Sequence, residues 1–578
     1  MPRVFFVGVS VFTFVMIKSQ SVQWQRFDAN TFNLAKKENK PVLLHLAANW
    51  CHWCHVMEEK TYQNKQVVEY LNKHFIVCKE DHDLRPDLAN KYRDYGWPAT
   101  IIFSKDGKEL FKNAGYIEAK EFLDILKKVV QNKLTGDEYL VKNTTSTQNT
   151  NNIAYIKKDM MNSIDLKAGG FNSAQKSVDW DMFEYAFLHQ NNDSLKTWLN
   201  KTAENSFGLL DTAWGGIYQY STYGDWQHPH YEKLLSVQAR YIKIYLWYFY
   251  VSNEKRYLDA AIKIYEYCKK FLYSPKYRSF YNAQDADLIK GQKATDYFRL
   301  SGTERLKKGI PAVDTSINTE NNSRMVQSLL DLFAYTKDSI YFYDAQHALQ
   351  FVLKHRFKNG FYLHATDTLS PPALVDHLQL IKALLKFYFF TQDKLYLNKA
   401  EALLNLLQKS FFSGNCFLSY LNTPGYLYPD CLVSENIDAA RIFNLSSYVF
   451  KNDEYKKISQ KVLQYLCSDE VYDKIVVEPG IVTLFEELNA DLYTALLLNF
   501  SETPSDMEFF VLQIPVNYYL YQRAVTHSIP DDKKDIAESF MDKKEDILLF
   551  CTDSFCSAPI YNENDLKSFI FNRILRKN

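Results

Sequence analysis

The spacing of apolar and polar residues divides the chain into two regions. Between Trp24 and about Lys133, short apolar runs alternate with segments whose apolar residues recur at helical spacing. This alternation predicts an α/β domain with the element order α-β-α-α-β-α-β-β-α. The predicted helices are residues 30–40, a helix that begins at Cys51–Cys54 and runs to about residue 62, and residues 67–74, 86–94 and 119–130. The predicted strands are residues 41–46, 75–79, 99–103 and 109–112.

The region from residue 153 onward keeps helical spacing in segment after segment. So many helices separated by loops predict antiparallel hairpins, arranged either as an open solenoid or as a closed toroid of about six hairpins. No repeat of fixed length is present in the sequence, which argues against a regular solenoid. A polar, low-complexity segment at residues 142–152 predicts a linker. The predicted domains are therefore residues 22–141 and residues 153–578.

The N-terminus carries an apolar run of about fourteen residues, Val4 to Ile17, after Arg3 and before the small residues Ser19 and Ser21. This arrangement predicts a secretory signal peptide over residues 1–21 and a periplasmic or secreted location. The run is shorter than the roughly 20 residues of a membrane-spanning helix, and no stable membrane span is predicted. An uncleaved anchor and a buried first strand are the alternatives.

The composition excludes some classes of function. Lys+Arg and Asp+Glu both number 68, and the formal net charge is +0. The chain therefore has no general electrostatic footprint for nucleic acid, and no nucleic-acid partner is predicted. Nine cysteines in 578 residues are too few for a disulfide scaffold. Cysteine chemistry is expected to be local, and neither a cofactor nor a resident metal is predicted.

Two of the cysteines, Cys51 and Cys54, are separated by two residues and fall in the first turn of a predicted helix. The first sulfur of such a pair faces the unpaired amide N–H groups and the positive end of the helix dipole, which favours a thiolate. A thiolate attacks a disulfide, and the second cysteine resolves the mixed disulfide. The spacing predicts Cys51 as nucleophile and Cys54 as resolving thiol, acting on a protein disulfide substrate or redox partner.

The residues around this pair resemble a known fold. Cys-His-Trp-Cys at 51–54 after an apolar strand and Gly-Trp-Pro at 96–98 before a hairpin are similar to the thioredoxin family. This resemblance implies that Pro98 follows a cis peptide bond, lies against the cysteine pair and shapes the substrate groove. Together with residues 83–87, these blocks resemble more closely the thioredoxin-like domain of the spermatogenesis-associated protein 20 and YyaL-type family. The chain lacks that family's Gly-Gly-Thr-Tyr-Phe-Pro stretch.

The cysteine block also admits three other interpretations. Its C-x-x-C-H spacing is that of covalent c-type haem attachment, but the flanking strand and helix fill a thioredoxin pattern. Zinc bound by Cys51, His52, Cys54 and His55 has suitable residue types, although four nearly adjacent ligands fit a tetrahedral site poorly. An inert structural disulfide is the third alternative. Redox activity is the favoured prediction.

The loops of the second region are rich in glycine, aromatic and charged residues. Gly-Gly-Phe at 169–171 and the blocks 226–233 and 279–287 resemble the same family. The resemblance implies a six-hairpin α/α toroid, similar to N-acylglucosamine 2-epimerases and to glycosidases of that architecture. The positions predicted from it to bind a ligand are Trp226, His230, Glu232, Lys233, Asp285 and Asp287.

These residue types suit a sugar site, because sugar-active proteins stack rings on aromatic side chains and use Asp, Glu or His as acid and base. The candidate aromatic platforms are Trp214, Tyr218 and Trp226. In the alternative interpretation, the same motifs only close hairpins and their charged residues pair with one another. Three functions stay open: a thiol-disulfide oxidoreductase, a carbohydrate-binding or carbohydrate-modifying toroid with a small-molecule or carbohydrate ligand, and a non-catalytic interaction protein.

The remaining cysteines fall into two groups. Cys551 and Cys556 are predicted to form a structural disulfide, with an internal redox relay as the alternative. Buried single thiols are predicted for the others, because they lie on or beside predicted helices and strands. These are Cys78, Cys268, Cys416, Cys431 and Cys467.

Overall fold

The computed structural model describes residues 21–92, 96–133, 152–366, 368–499, 505–515, 519–525, 538, 540, 545–552 and 555–575. The predicted signal peptide and the predicted linker lie outside the described residues, except for residues 21 and 152. No helix within the described ranges is both long and apolar enough to cross a membrane.

The N-terminal region forms a four-stranded sheet in the order β2-β1-β3-β4. Strand β1 is parallel to β2 and antiparallel to β3, and β3 is antiparallel to β4. All nine predicted elements are present in the predicted order, which confirms a thioredoxin-like domain. They are α1 (Thr31–Glu38), β1 (Val42–Ala47), α2 (His52–Lys60), α3 (Lys65–His74), β2 (Ile76–Asp81), α4 (Pro86–Tyr92), β3 (Ala99–Phe103), β4 (Glu109–Ala114) and α5 (Ala119–Val130).

Helices cover both faces of this sheet, so its central strand is buried along its whole length. Because successive side chains of a strand point to opposite faces, Leu43 belongs to one hydrophobic cluster and Leu44 to the other. On the first face, Phe122 and Leu126 of the amphipathic α5 fill the cluster with residues of α3. Continuous burial explains why β1 reads as an unbroken apolar run in the sequence.

The second region is built from paired helices with short strands between them. Its helices are α6 (Asn152–Ser163), α7 (Trp180–Leu188), α8 (Asp193–Asn205), α9 (Leu235–Ser252), α10 (Lys255–Phe271), α11 (Thr295–Phe298), α12 (Gly302–Lys308), α13 (Thr319–Thr336), α14 (Ser339–His355), α15 (Leu374–Thr391), α16 (Lys394–Ser410), α17 (Val433–Val449), α18 (Asp453–Leu466), α19 (Asp469–Tyr472), α20 (Pro479–Leu488), α21 (Asp506–Leu512) and α22 (Glu563–Phe569).

Six of these helices form a closed inner ring. Helix α7 contacts α9, and the contacts continue through α13, α15, α17 and α20 back to α7. Each inner helix packs against one outer helix, respectively α8, α10, α14, α16, α18 and α6. Because the last inner helix contacts the first, the architecture is a closed six-hairpin toroid, as predicted, and an open solenoid is excluded.

A buried ion-pair group joins the helices at which the ring closes. The guanidinium of Arg441 on α17 donates to both carboxylate oxygens of Glu184 on α7, each at 2.8 Å. It also donates to Glu487 on α20 at 2.6 to 3.0 Å. The two carboxylates are buried and Arg441 is 11% exposed, so one cation neutralises charge on the first and the last inner helices.

Short strands connect the hairpins at the toroid mouth, and a separate sheet follows the ring. The short strands are β5 (Tyr220–Ser221), β6 (Pro229–His230), β7 (Lys233–Leu234), β8 (Tyr273–Ser274), β9 (Ser279–Phe280), β10 (Ala283–Gln284), β11 (Val313–Asp314), β12 (Phe357–Lys358) and β13 (Phe361–Tyr362). Strands β7, β10 and β11 pair in one sheet. The later sheet contains β14 (Tyr493–Asn499), β15 (Tyr519–Val525) and β16 (Ile547–Cys551).

This later sheet was not predicted, because the sequence analysis expected helices up to residue 578. Its order is β15-β14-β16, and the described residues of β14 are buried from Ala495 onward. Strand β16 is buried along its whole length. A short apolar run that is buried on both faces has no alternation, so its periodicity does not distinguish a strand from a buried helix.

Two disulfides lie away from the predicted redox pair. Cys551 and Cys556 are bonded, as favoured from the sequence. Cys416 and Cys431 are also bonded, so the prediction of single thiols at these positions was wrong. The loop after α16 turns back and brings their Cα atoms to 6.0 Å across a separation of 15 residues. The free buried cysteines of the described ranges are Cys78, Cys268 and Cys467.

Candidate functional site at the domain interface

The disulfide of Cys51 and Cys54 occupies the start of α2. Strand β1 ends at Ala47, and the following loop places Cys51 at the N-cap of the helix. The backbone N–H of Cys54 donates to the Sγ of Cys51 at 3.2 Å. The Sγ of Cys51 therefore accepts one of the helix N–H groups that lack a partner within the helix. The Trp97–Pro98 peptide bond, which the resemblance implied to be cis, is cis.

The toroid covers this disulfide. Ala283 on β10 and Leu234 on β7 pack in one apolar cluster with both cysteines and with Trp97. Cys51 is 4% exposed and Cys54 is fully buried. Trp53, between the cysteines in sequence, is 38% exposed, and the Lys293 ammonium lies 5.4 Å from its ring centroid. The cysteine pair is therefore a site between two domains, bordered by an aromatic side chain that solvent reaches.

Both histidines of the cysteine block contact one carboxylate of the toroid. The Nδ1 of His52 lies 2.7 Å from one oxygen of Asp287, and the Nδ1 of His55 lies 3.1 Å from the other. The Nε2 of His55 lies 3.0 Å from the backbone carbonyl oxygen of Asn49. A second carboxylate, that of Asp285, approaches this Nε2 at 3.8 Å. Asp287 thus joins the first helix turn of one domain to the mouth of the other.

These contacts shift the pKa values of the groups involved. Burial disfavours the imidazolium of His55, but the hydrogen bond to Asp287 and the charges of Asp285 and Asp287 raise the pKa of this side chain. Burial alone would raise the pKa of Asp287, and the hydrogen bonds from His52 and His55 lower it below the ordinary value. Asp287 is therefore the ionised partner of the two histidines.

In two further carboxyl groups of the mouth, the effect of burial on the pKa outweighs that of the favourable contacts. Burial, with the charge of Asp287 as a further contribution, raises the pKa of Asp285 to about 6. Burial and the charges of both aspartates raise the pKa of Glu232 to about 7. Among the described residues, one oxygen of each group, Oδ2 of Asp285 and Oε2 of Glu232, is buried without a hydrogen-bond partner. His230 lies 3.8 Å from Glu232, and burial followed by the charges of His52 and Lys293 lowers its pKa to about 4.

The fold brings together most of the residues that the sequence analysis selected. Both cysteines, Glu232, Asp285 and Asp287 surround one interface, and His230 lies at its edge beside Tyr220. The contact of His52 and His55 with Asp287 was not predicted. The sequence offered them only as haem or zinc residues of the cysteine block, and nothing in that block indicates which carboxylate they meet.

Trp226 and Lys233 are placed differently, inside the toroid wall. The indole of Trp226 is 3% exposed and donates to the carbonyl oxygen of Ala168. The ammonium of Lys233 donates to Asp211 at 2.6 Å and to the carbonyl oxygen of Gly215 at 2.7 Å. Trp226 and Lys233 therefore hold the loops of the mouth in place and do not line the histidine–aspartate cluster.

The two other aromatic candidates also serve packing. Tyr218 is buried and lies edge-on to Tyr231. Trp214 packs on Phe271, and its indole N–H donates to the carbonyl oxygen of Gly302 at 3.2 Å. Such packing is what the alternative interpretation of the sequence, in which aromatic motifs close hairpins, leads us to expect of these two side chains.

A second set of contacts fixes the two domains to each other. The Nε2 of His364 lies 3.0 Å from the backbone carbonyl oxygen of Asp83, and its Nδ1 lies 2.9 Å from Asp376 on α15. Thr368 donates to the carbonyl oxygen of Leu84 at 2.5 Å, and Asn90 donates to Glu435 at 2.7 Å. His364 is buried, so its charge state affects the interface directly.

We expect the interface to weaken as pH rises through about 8. Burial disfavours the charged form of His364, but the charge and hydrogen bond of Asp376 raise its pKa from 6.5 to about 8. A raised histidine pKa contributes stability that is complete below the ordinary value and is lost as pH rises through the folded-state value. The pKa shift of His364 corresponds to about 2 kcal/mol in the free energy of unfolding. This contribution is measured by urea unfolding of the wild type and of His364→Gln at about pH 6 and about pH 9.

The difference in unfolding free energy between wild type and His364→Gln should shrink by about 2 kcal/mol from the lower to the higher pH. His355→Gln is the matched control, since His355 ends α14 and packs on Phe351 without an ion pair in the described ranges. A pH-independent difference for His364→Gln would contradict a charged His364 in the folded state.

The fold and the cysteine pair define the class of protein: a thioredoxin-like domain joined to a helical toroid. Residues 11–152 match the family model Thioredox_DsbH, described as a protein of unknown function, DUF255. Spermatogenesis-associated protein 20 of Mus musculus is 27% identical over 308 residues, which are 46% of this chain and 39% of the mouse protein. The matches confirm the resemblance to the spermatogenesis-associated protein 20 family, and the aligned part spans less than half the length of the mouse protein.

Two further similarities concern the separate domains. Thioredoxin Y2, chloroplastic, of Arabidopsis thaliana is 33% identical over 105 residues, which are 18% of this chain and 60% of that protein. The crystal structure of a D-mannose isomerase aligns with 14% identity and a TM-score of 0.44, and the alignment covers 56% of this chain and 87% of that one.

Proposed function

We propose that the protein is a thiol-disulfide oxidoreductase whose working pair is Cys51 and Cys54. The observation that carries this proposal is the position of the disulfide at the start of α2 in a thioredoxin-like domain. There the Cys54 N–H donates to the Cys51 sulfur, and the same contact with the helix N-terminus stabilises a Cys51 thiolate after reduction.

The proposed exchange is balanced in two steps. The Cys51 thiolate attacks one sulfur of a substrate disulfide, which forms a mixed disulfide and releases one substrate thiolate that takes up a proton. The Cys54 sulfur, after losing its proton, then attacks Cys51, releases the second substrate thiol and restores the Cys51–Cys54 disulfide. Two electrons pass from the protein to the substrate, and the reverse sequence oxidises a dithiol.

The covering toroid restricts what reaches the sulfur atoms. Because Cys51 is 4% exposed, we propose a low-molecular-weight disulfide or an extended peptide segment as the reactant, approaching beside Trp53. The apolar run of residues 4–17 supports export, so a periplasmic or secreted location is part of the proposal.

A redox titration tests the proposed function. We expect the oxidised pair to be reduced reversibly, with two electrons, at a potential of roughly −120 to −270 mV, as in thioredoxin-like oxidoreductases. The full chain is equilibrated in graded dithiol–disulfide buffers, and alkylation of Cys51 and Cys54 is quantified by mass spectrometry. The Cys551–Cys556 pair, in the same sample, is the internal control. If the Cys51–Cys54 pair stays oxidised below about −300 mV, it is a structural disulfide.

A second candidate function is acid–base chemistry on a carbohydrate. It is favoured by the carboxyl groups of Asp285 and Glu232, whose pKa values are raised to about 6 and about 7, because such groups exchange protons near neutral pH. Calorimetry with mono- and disaccharides tests it. Saturable binding by the wild type that His230→Ala abolishes, with Cys51 intact, would support this function, and heats equal to dilution would exclude it for the sugars tested.

A further inference from the structure

We propose that His55, Asp285 and Asp287 form a binding site for one divalent transition-metal cation at the domain interface. One ring nitrogen of His55 and one oxygen from each aspartate lie within 4.8 Å of one another, and all three side chains are buried. The histidine comes from α2 of the thioredoxin-like domain, and both aspartates come from the toroid loop after β10. The site exists only when the two domains are docked.

The surroundings of His55 require a positive charge. Its Nε2 faces the carbonyl oxygen of Asn49 at 3.0 Å, and its Nδ1 faces an oxygen of Asp287 at 3.1 Å. Both partners are acceptors, and a neutral imidazole carries only one N–H. If Nε2–H donates to Asn49, the Nδ1 lone pair meets a carboxylate oxygen, and either a proton or a metal ion must lie near both. A backbone carbonyl that accepts from the other ring nitrogen is the usual second partner of a metal-binding histidine.

A buried oxygen points to a cation in addition to this contact. Within the described residues, the Oδ2 of Asp285 has no hydrogen bond and lies 3.8 Å from the Nε2 of His55, although the side chain is 1% exposed. Leaving a carboxylate oxygen buried without a partner is costly. A divalent cation would supply that partner and would offset the charge of Asp285 and Asp287 together.

The donor atoms indicate the class of metal. Imidazole nitrogen with carboxylate oxygens suits Zn²⁺, Mn²⁺ and similar ions, whereas Mg²⁺ and Ca²⁺ prefer sites built from oxygen alone. Metal–ligand bonds of about 2.1 Å place neighbouring ligand atoms about 3.0 to 3.4 Å apart in octahedral or tetrahedral geometry. The 3.1 Å between the Nδ1 of His55 and an oxygen of Asp287 falls in this range. The ligand oxygen of Asp285 lies within 4.8 Å of the other two ligand atoms and moves closer when it binds the same ion.

Titration of the oxidised full chain with ZnCl₂ tests the proposal, because the disulfide keeps both cysteine thiolates out of the reaction. We expect saturable binding of one Zn²⁺ per chain in calorimetry and a higher melting temperature with Zn²⁺ present. Asp285→Asn keeps the size of the side chain and should weaken binding by at least about tenfold. The matched control is Asp225→Asn, because Asp225 forms an exposed pair with His228 at 2.8 Å; its binding should equal that of the wild type.

Two results would overturn the site. One is the absence of saturable binding by the folded wild type with both ZnCl₂ and MnCl₂. The other is an Asp285→Asn variant that folds, as judged by its melting curve, and binds Zn²⁺ like the wild type. If Asp285→Asn does not fold, His55→Gln takes its place under the same criterion. The redox titration is carried out without metal, so failure of the metal site leaves the oxidoreductase proposal standing.

Discussion

Cys51→Ser is expected to reduce disulfide exchange to the level of the buffer control. A serine hydroxyl at the N-cap of α2 neither ionises near neutral pH nor forms a disulfide, so the first step of the exchange cannot occur. The measurement is the rate of reduction of oxidised glutathione by the pre-reduced full chain, with the remaining thiols counted by alkylation. The structure places Cys51 where its sulfur accepts the Cys54 N–H, which is the position of the attacking thiol.

Two other variants separate this role from a structural one. Cys54→Ser keeps the attacking thiol and should accumulate a mixed disulfide on Cys51, visible as a mass increase of one glutathione moiety. Cys467→Ala removes a buried free thiol of the toroid and should exchange at the wild-type rate. If Cys51→Ser retains the wild-type rate, the pair is not the working site, and the function must lie in the toroid mouth.

Arg441→Met is expected to lower the free energy of unfolding by about 3 to 5 kcal/mol. The substitution removes the cation that Glu184 and Glu487 share, and breaking a buried ion pair by removing one partner is strongly destabilising. These carboxylates lie on the first and last inner helices. The substitution therefore weakens the contact between the helices that close the toroid. Urea denaturation followed by circular dichroism measures it.

The control for this prediction is a guanidinium on the surface. Arg299 pairs with Asp296 at 3.5 Å, and both side chains are mostly exposed, so Arg299→Met should cost less than about 1 kcal/mol. A triple variant, Arg441→Met with Glu184→Gln and Glu487→Gln, should recover part of the lost stability because the two residues that Arg441 neutralised then carry no charge. Equal effects of Arg441→Met and Arg299→Met would show that the buried group does not hold the ring closed.

The interface gives the two domains a shared chemistry that neither has alone. The carboxylate of Asp287 belongs to the toroid, but its hydrogen-bond partners are the histidines that flank Cys54 in the thioredoxin-like domain. Any ligand, proton or cation bound there changes the surroundings of the disulfide. Displacement of β10 would expose the cysteine pair, since Ala283 of that strand packs on it.

Local patterns of the sequence were sufficient for the elements and for the redox pair. Strand β3 and helix α5 begin and end where the apolar spacing predicts, because one face or both faces of each element are buried in a regular core. The two-residue spacing of Cys51 and Cys54 is also local, since both sulfurs depend on a single helix turn. The family resemblance of the loop blocks indicated the toroid, and the contacts of the inner helices confirm that it is closed.

Only the tertiary structure decided how these parts meet. His52 and Asp287 are 235 residues apart in the chain, and the Cys416–Cys431 disulfide depends on the return of a loop rather than on a motif. Trp226 and Lys233 lie in blocks that suggest a ligand site, yet the packing directs them into the toroid wall. The sequence by itself therefore determined the helices, the strands of the first domain and the cysteine pair. Docking of the two domains decided the surroundings of that pair, because contacts between distant segments depend on three-dimensional packing and leave no periodic signal in the chain.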